Sequence, residues 1–270
     1  MDINEIARDV YVLTGEVYSS NSVVVAADEG VVLIDAMADR DDVAALRGFI
    51  SNELAKPVRY LISTHYFGDH TAGLKEFPEA QIIAHVSYAQ TAALWHDKAS
   101  MERDFVPASI LVSSRMRLPW GRYSLEIFHN PGHTMSTLNI DVEGADLLVV
   151  GDTAVGNIVS LGHADLDLLP LALRRAKERG RSRVVSGHNG AQSIRCLDNA
   201  MHYYARVLDM TSAGPASPEI SAYAPDDVIF SEVERFVHRL NIDFVARGGI
   251  GRAHAPPRSR RAAVESPALK

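Results

Sequence analysis

The apolar positions along the chain change period several times, and the changes mark out its elements. Residues 10–13, 22–27 and 31–34 are runs of β-branched and apolar side chains, separated by Gly15 and by the turn at 28–30. That is the pattern of successive short strands. Between Asp41 and Leu54 the apolar residues Val43, Leu46, Ile50 and Leu54 recur at intervals of 3, 4 and 4, which places them on one face of a helix. Residues 58–63 are apolar but too few for a helix, and they run into the polar stretch 64–71. A strand is predicted at 81–84 and a helix at 87–95. Strands follow at 123–128, 138–142 and 147–150, then a helix at 168–179 and a strand at 183–185. Helices at 194–210 and 226–244 flank a stretch rich in Pro, Ala and Ser, 211–225, that reads as a loop.

Strands interspersed with helices point to βα units rather than an all-β sandwich. The two strand-rich halves hint at an internal repeat. From residue 248 the periodicity is lost, so residues 1–247 are expected to form the folded domain and 248–270 a disordered tail.

Composition narrows the partners. The 270 residues are 47% hydrophobic and 23% charged, enough to bury a sizeable core. A net charge of −7 disfavours nucleic acid and anionic lipid as partners. No apolar run approaches the roughly 20 residues of a membrane span. The N-terminus lacks the basic-then-apolar order of a signal peptide. Cys196 is the sole cysteine, which rules out an intrachain disulfide. The expectation is a soluble cytoplasmic protein acting on a small molecule; a homodimer is compatible with it.

The candidate chemistry lies at strand ends. His65-Tyr66-Phe67-Gly68-Asp69-His70 follows the strand at 58–63, where the strand can hold ligands rigidly while the loop aims them. Imidazole and carboxylate suit zinc, iron or manganese. An H-x-x-x-D-H string alone decides little. Three further sites change its weight: His133 in Pro131-Gly132-His133-Thr134, Asp152 after Gly151, and His188 after Gly187. Each comes just after a glycine near the end of a predicted strand, as expected where a sharp turn aims the next side chain into a shared cleft. Core packing alone would not place His or Asp at four separate strand ends.

The order H-x-x-x-D-H, PGHT, GD, GH resembles the metallo-β-lactamase superfamily over residues 5 to 190, as does the opening Asn21-Ser22 followed by Gly30-Val31-Val32-Leu33-Ile34-Asp35. The resemblance implies a four-layer αββα sandwich, here with a helical C-terminal extension, and a metal site at one edge of the two sheets. Glyoxalase-II-like and lactonase-like members are more similar than true β-lactamases, because Asp152 stands where the latter usually carry Cys. The resemblance further implies that His65 and His133 hold a first metal, that Asp69, His70 and His188 hold a second, and that Asp152 bridges them.

The departure is Phe67, where the family usually has the first metal's second histidine; a phenyl ring cannot coordinate an ion. One tightly bound Zn2+ is therefore expected, with a second ion weaker, and Fe or Mn as alternatives. The expected activity is hydrolysis of an ester, lactone, thioester or amide-type bond. Asp69 orients the water, and His133 acts as base or oxyanion donor. The rival readings are an iron-dependent oxidoreductase on the same fold and a catalytically weakened, metal-supported binding protein.

The remaining candidates have plainer explanations. His85, His129 and His163 read as structural. Asp35 could orient a ligand histidine or cap a turn. Cys196 falls on the apolar face of its helix. The basic run Arg174, Arg175, Lys177, Arg179, Arg181, Arg183 suits a helix C-terminus. Of Phe67, Trp95, Phe105 and Trp120, all but Phe67 are expected in the core.

Overall fold

A computed structural model of the chain describes residues 1–213, 217–223, 225 and 227–249. Seven strands lie side by side in chain order: β1 (Asp2–Ala7), β2 (Val10–Thr14), β3 (Asn21–Ala27), β4 (Gly30–Ile34), β5 (Val58–Ile62), β6 (Gln81–His85) and β7 (Ile110–Val112). Neighbours are antiparallel as far as β4 and parallel from β4 to β7. A second sheet holds β8 (Arg115–Trp120), β9 (Tyr123–His129), β10 (Leu138–Glu143), β11 (Leu147–Gly151), β12 (Arg183–Ser186) and β13 (Ala191–Ser193), again in chain order. Its one parallel pair is β11 with β12.

The helices are α1 (Arg40–Gly48), α2 (Gly68–Thr71), α3 (Tyr88–Trp95), α4 (Lys98–Asp104), α5 (Leu169–Glu178), α6 (Arg195–Ala213) and α7 (Glu232–Ala246). Strand β4 shows why they form outer layers. All five of its residues are buried, as expected of a strand covered on both faces. Val31 and Leu33 point outward onto Val43 and Leu46 of α1. Val32 and Ile34 point inward, into the core shared with Ile127, Ile140 and Val149 of the second sheet. The outer face of that sheet, through Leu148, Val150 and Val184, packs on Leu169 and Leu173 of α5 and Leu197 and Tyr203 of α6. The architecture is the four-layer αββα sandwich, with α7 added against the same outer layer through Val233 and Val237.

Several boundaries differ from those expected. The helix expected at 41–54 ends at Gly48 and widens into a π-type turn, Phe49–Leu54, closed by Ala55 at φ +51°. The helix expected from residue 226 begins at Glu232, because Ser231 and Glu234 form a reciprocal capping box there. The loop expected at 211–225 is partly helical: α6 runs on to Ala213, and Ile220–Tyr223 form a short 3-10 turn with both end residues buried. β8 carries two arginines and Pro119, a composition tolerated because it is an edge strand. From residue 250 the expected tail lies outside the described residues. Among those described, no helix is long and apolar enough to cross a membrane.

Candidate metal centre

The C-terminal ends of the parallel strands of both sheets meet at one place. β4 delivers Asp35, β5 delivers Thr64 and His65, β11 delivers Asp152, and β12 leads to His188. The short helix α2 carries Asp69 and His70, and the β9–β10 connection carries His133. Backbone hydrogen bonds fasten the two halves: Leu138 N–H donates to Thr64 C=O (2.8 Å), and Asn21 N–H donates to Gly187 C=O (2.8 Å).

Ligand atoms of Asp69, His70 and His188 all lie within 4.8 Å of one another, as do those of His65, His70 and Asp152. Asp152 links the two groups. Its carboxylate lies 3.4 Å from Nε2 of His70, 3.4 Å from Nε2 of His188 and 3.9 Å from Nε2 of His133. The glycines expected to turn the chain here do two different jobs. Gly151 has φ +50°, a conformation that favours glycine. Gly187 is needed for space, since a Cβ there would fall 1.9 Å from Asp152 Oδ1 and 2.6 Å from His70 Cε1.

Three of the imidazoles are held from behind. His70 Nδ1 is 3.1 Å from Asp35 Oδ2, and His188 Nδ1 is 2.8 Å from the Tyr18 carbonyl, so each donates and leaves Nε2 facing the centre. Asp35 also accepts from Thr64 N–H (2.8 Å) and Thr64 Oγ1–H (2.7 Å). Thr64 Oγ1, its proton committed to Asp35, accepts from His65 Nδ1 at 2.9 Å. One buried carboxylate thus fixes the tautomers of two histidines, which decides between the two roles open to Asp35.

The inward atoms are the test of whether an ion fits. His65 Nε2, His70 Nε2, both nitrogens of His133 and Asp152 Oδ1 are fully buried and make no hydrogen bond. Leaving one such atom unsatisfied costs about 1–3 kcal/mol, and the cluster of His65 Nε2, His70 Nε2, His133 Nε2 and Asp152 Oδ1 is explained by a ligand they share. Imidazole nitrogen with carboxylate oxygen is the donor set of zinc, iron and manganese. Electrostatics separate the members. Burial, then the neighbouring His70 and His133 rings, hold His65 well below the ordinary histidine value. Burial also lowers His133. Against burial, Asp69 and Asp152 hold His70 well above it, and Asp152 raises His188. Burial opposes ionisation of Asp152 too, but His188 and His70 hold its carboxyl well below the carboxylate range.

Residues 15–188 match the family model described as the metallo-beta-lactamase superfamily. The chain belongs to that superfamily. Solved members share its fold at low identity. A metallo-beta-lactamase from Pontibacter korlensis superposes with a TM-score of 0.64 at 18% identity, covering 76% of this chain and 98% of that one. The inverting sec-alkylsulfatase Pisa1 from Pseudomonas sp. gives 0.69 at 16%, covering 92% of this chain and 50% of the sulfatase. A metallo-beta-lactamase from Hirschia baltica gives 0.59 at 16%, covering 73% and 94%. Members of the superfamily are mostly metal-dependent hydrolases.

Against the superfamily's motif, the structure shows what surrounds Phe67, where the resemblance implied histidine. Its ring packs edge-on against His65 (5.1 Å between centroids) and His133 (5.2 Å), so carbon occupies the side of the centre those two histidines share. His133 belongs to neither compact ligand group. The remaining expectations sort as follows. His85 and His129 stack on each other at 3.7 Å, outside both ligand groups, and their ring nitrogens hold Ser87, Ser113 and Met135. Cys196 is buried in the core. Trp120 is buried and donates to Val25 C=O, and Phe105 packs on Tyr88.

One expectation needs correction. Trp95 and Phe105 are not inside the core: both are half-buried against the small cluster of Tyr66, Ala84, Tyr88 and Ala92, and Trp95 packs on His163, which in turn packs on Phe67. The basic run does span the C-terminus of α5, with Arg175 and Lys177 in the last turn, and several of its members find side-chain partners as well. Arg179 and Arg181 both pair with Asp141, only 1% exposed, while Arg175 binds Asn130 and Pro131 beside His133. A periodic apolar strand pattern gave no hint that Asp141 would be buried in β10.

Proposed function

We propose that this chain is a metal-dependent hydrolase acting on an ester, lactone, thioester or amide-type bond of a small molecule. It works with one tightly held divalent ion, zinc, held by Asp69, His70, His188 and Asp152. The observation that carries this reading is the convergence of buried imidazole nitrogens and the Asp152 carboxylate oxygen, which satisfy no other partner. His65 and His133 hold a second ion weakly, because Phe67 stands where a third imidazole would complete their set.

When bound, the ion supplies Lewis-acid polarisation of a carbonyl and a lowered water pKa, near about 7 in known zinc sites. The protein's own groups do the rest. Asp69 is the ligand candidate with a partly open side chain, 26% exposed, so it reaches both the buried centre and the cleft and orients an incoming water. His133, engaged at neither nitrogen, accepts a proton or donates to a developing oxyanion. Asp35, Thr64 and the Tyr18 carbonyl keep three rings in one tautomer through the cycle. The named neighbours include β-lactamases and an alkylsulfatase, enzymes that cleave different bonds, and a fold shared at this identity does not choose between them.

Metal analysis of protein purified without added metal, beside turnover of an ester and lactone panel, tests the reading. About one zinc per chain and hydrolysis abolished in His70→Ala are expected. Iron with a visible absorption band, or no turnover of any substrate by the zinc-loaded protein, would overturn it.

A further inference from the structure

The rings around Phe67 continue outward. Phe67 touches His133 and His65 on one side and His163 on the other, at 4.8 Å between centroids; His163 then touches Trp95 at 4.4 Å. His163 is exposed, and Phe67 and Trp95 are half-buried, so the series reaches from solvent to the ligand histidines. Its members come from three separate places: the end of α3, the loop after β11, and the loop after β5. No local sequence rule brings them together. Behind Phe67 and Trp95 sit the buried side chains of Tyr66, Ala84, Tyr88 and Ala92, which hold the wall from the back.

A wall of this kind selects by what it cannot do. Indole and phenyl faces stabilise an apolar or aromatic group laid against them in edge or offset geometry. A charged or strongly hydrated group placed there would lose its water without replacement. We propose that Trp95, His163 and Phe67 form a substrate subsite that receives an aryl or alkyl group attached next to the scissile bond. The substrates of this chain are then esters or lactones with an apolar substituent at that position. This rests on the hydrolase reading for the position of the bond, while the subsite itself is a binding claim.

The experiment separates the two. Acetohydroxamic acid and phenylacetohydroxamic acid carry the same metal-chelating head and differ only in the apolar group. Each is titrated into the zinc-loaded full chain by calorimetry, with zinc content measured for every variant. The phenyl compound should bind at least about tenfold more tightly, the scale of apolar-pocket discrimination. In Trp95→Ala that preference should shrink to about threefold or less, and Trp95→Phe should restore most of it. If Trp95→Ala does not fold, His163→Ala, at the exposed middle ring, should show the same shrinkage. Equal binding of the two compounds by wild type, or an unchanged preference in a variant that keeps its zinc, would overturn the subsite and leave the hydrolase reading standing. If neither compound binds the zinc-loaded protein, both readings fall.

Discussion

The two sides of the centre are built differently. On the side of His70 and His188, each ring is gripped at Nδ1, by Asp35 and by the Tyr18 carbonyl, and each presents a bare Nε2 beside Asp152. On the side of His133, neither nitrogen has a hydrogen bond, and the nearest neighbours are carbon edges of Phe67 and the ring of His65. A metal ligand must be held from behind as well as aimed forward, because an unheld imidazole spends binding energy on its own orientation. The first side meets both conditions and the second only one. The difference is the one expected between a side that holds an ion tightly and a side that holds one weakly.

The comparison can be broken most decisively at Asp152, whose carboxylate lies within 3.9 Å of three of the histidines. Asp152→Ala should lose the tightly held zinc. It should also lose the stabilisation that a native-state ligand confers, about 4 kcal/mol at a thousandfold excess over Kd. Retention of one zinc per chain after dialysis would show that the His70–His188 side does not depend on it. Asp35→Ala leaves every candidate ligand in place and removes only the grip. Zinc affinity measured by chelator competition should fall about 10- to 100-fold, the usual cost of losing an outer partner.

The pH dependence sharpens the same contrast. In the metal-free chain His70 and His188 are held above the ordinary histidine value of 6.5. They keep their protons at a pH where free histidine has lost them, and an incoming ion must displace those protons. Zinc affinity should therefore rise with pH through neutrality and begin to fall above 6.5 on acidification. Calorimetry in buffers of different ionisation enthalpy, from about pH 5.5 to about pH 8.5, should show proton release on binding. A flat affinity across that range would mean the rings are already neutral.

The smallest change expected is at the other side. Phe67→His should give His65 and His133 a third imidazole and raise zinc stoichiometry from about one toward two, since zinc is satisfied by four ligands. Identical single-site isotherms for mutant and wild type would show that Phe67 is not what weakens that side.

Much of this was legible in the residues. The strand runs leading to His65, Asp152 and His188 are short and apolar, the last two closed by Gly151 and Gly187, and the structure places those ends together. What could not be read was the reason each element sits where it does. β8 hides behind arginine and proline because an edge strand tolerates both. The start of α7 is marked by Ser231 and Glu234, three residues apart, beyond the expected start at 226. The role of Asp35 depended on a contact to His70 across 35 residues of chain, and the Tyr18 carbonyl that holds His188 carries no side-chain signal at all. Long-range partners of this kind leave no local pattern.

That last contact has a consequence for biosynthesis. His188 is held by Tyr18, and Asn21 Nδ2 donates to the Ser186 carbonyl, so the last ligand is tied to the β2–β3 hairpin across 170 and 165 residues. Contacts so distant form late, because the loop they close must be ordered before they repay its entropy. A nascent chain on the ribosome whose synthesis has not yet passed His188 cannot join the two sheets at this seam. A complete set of candidate ligands therefore requires synthesis to have passed His188. An ion met earlier lacks His188 and the Tyr18 carbonyl contact that orients it.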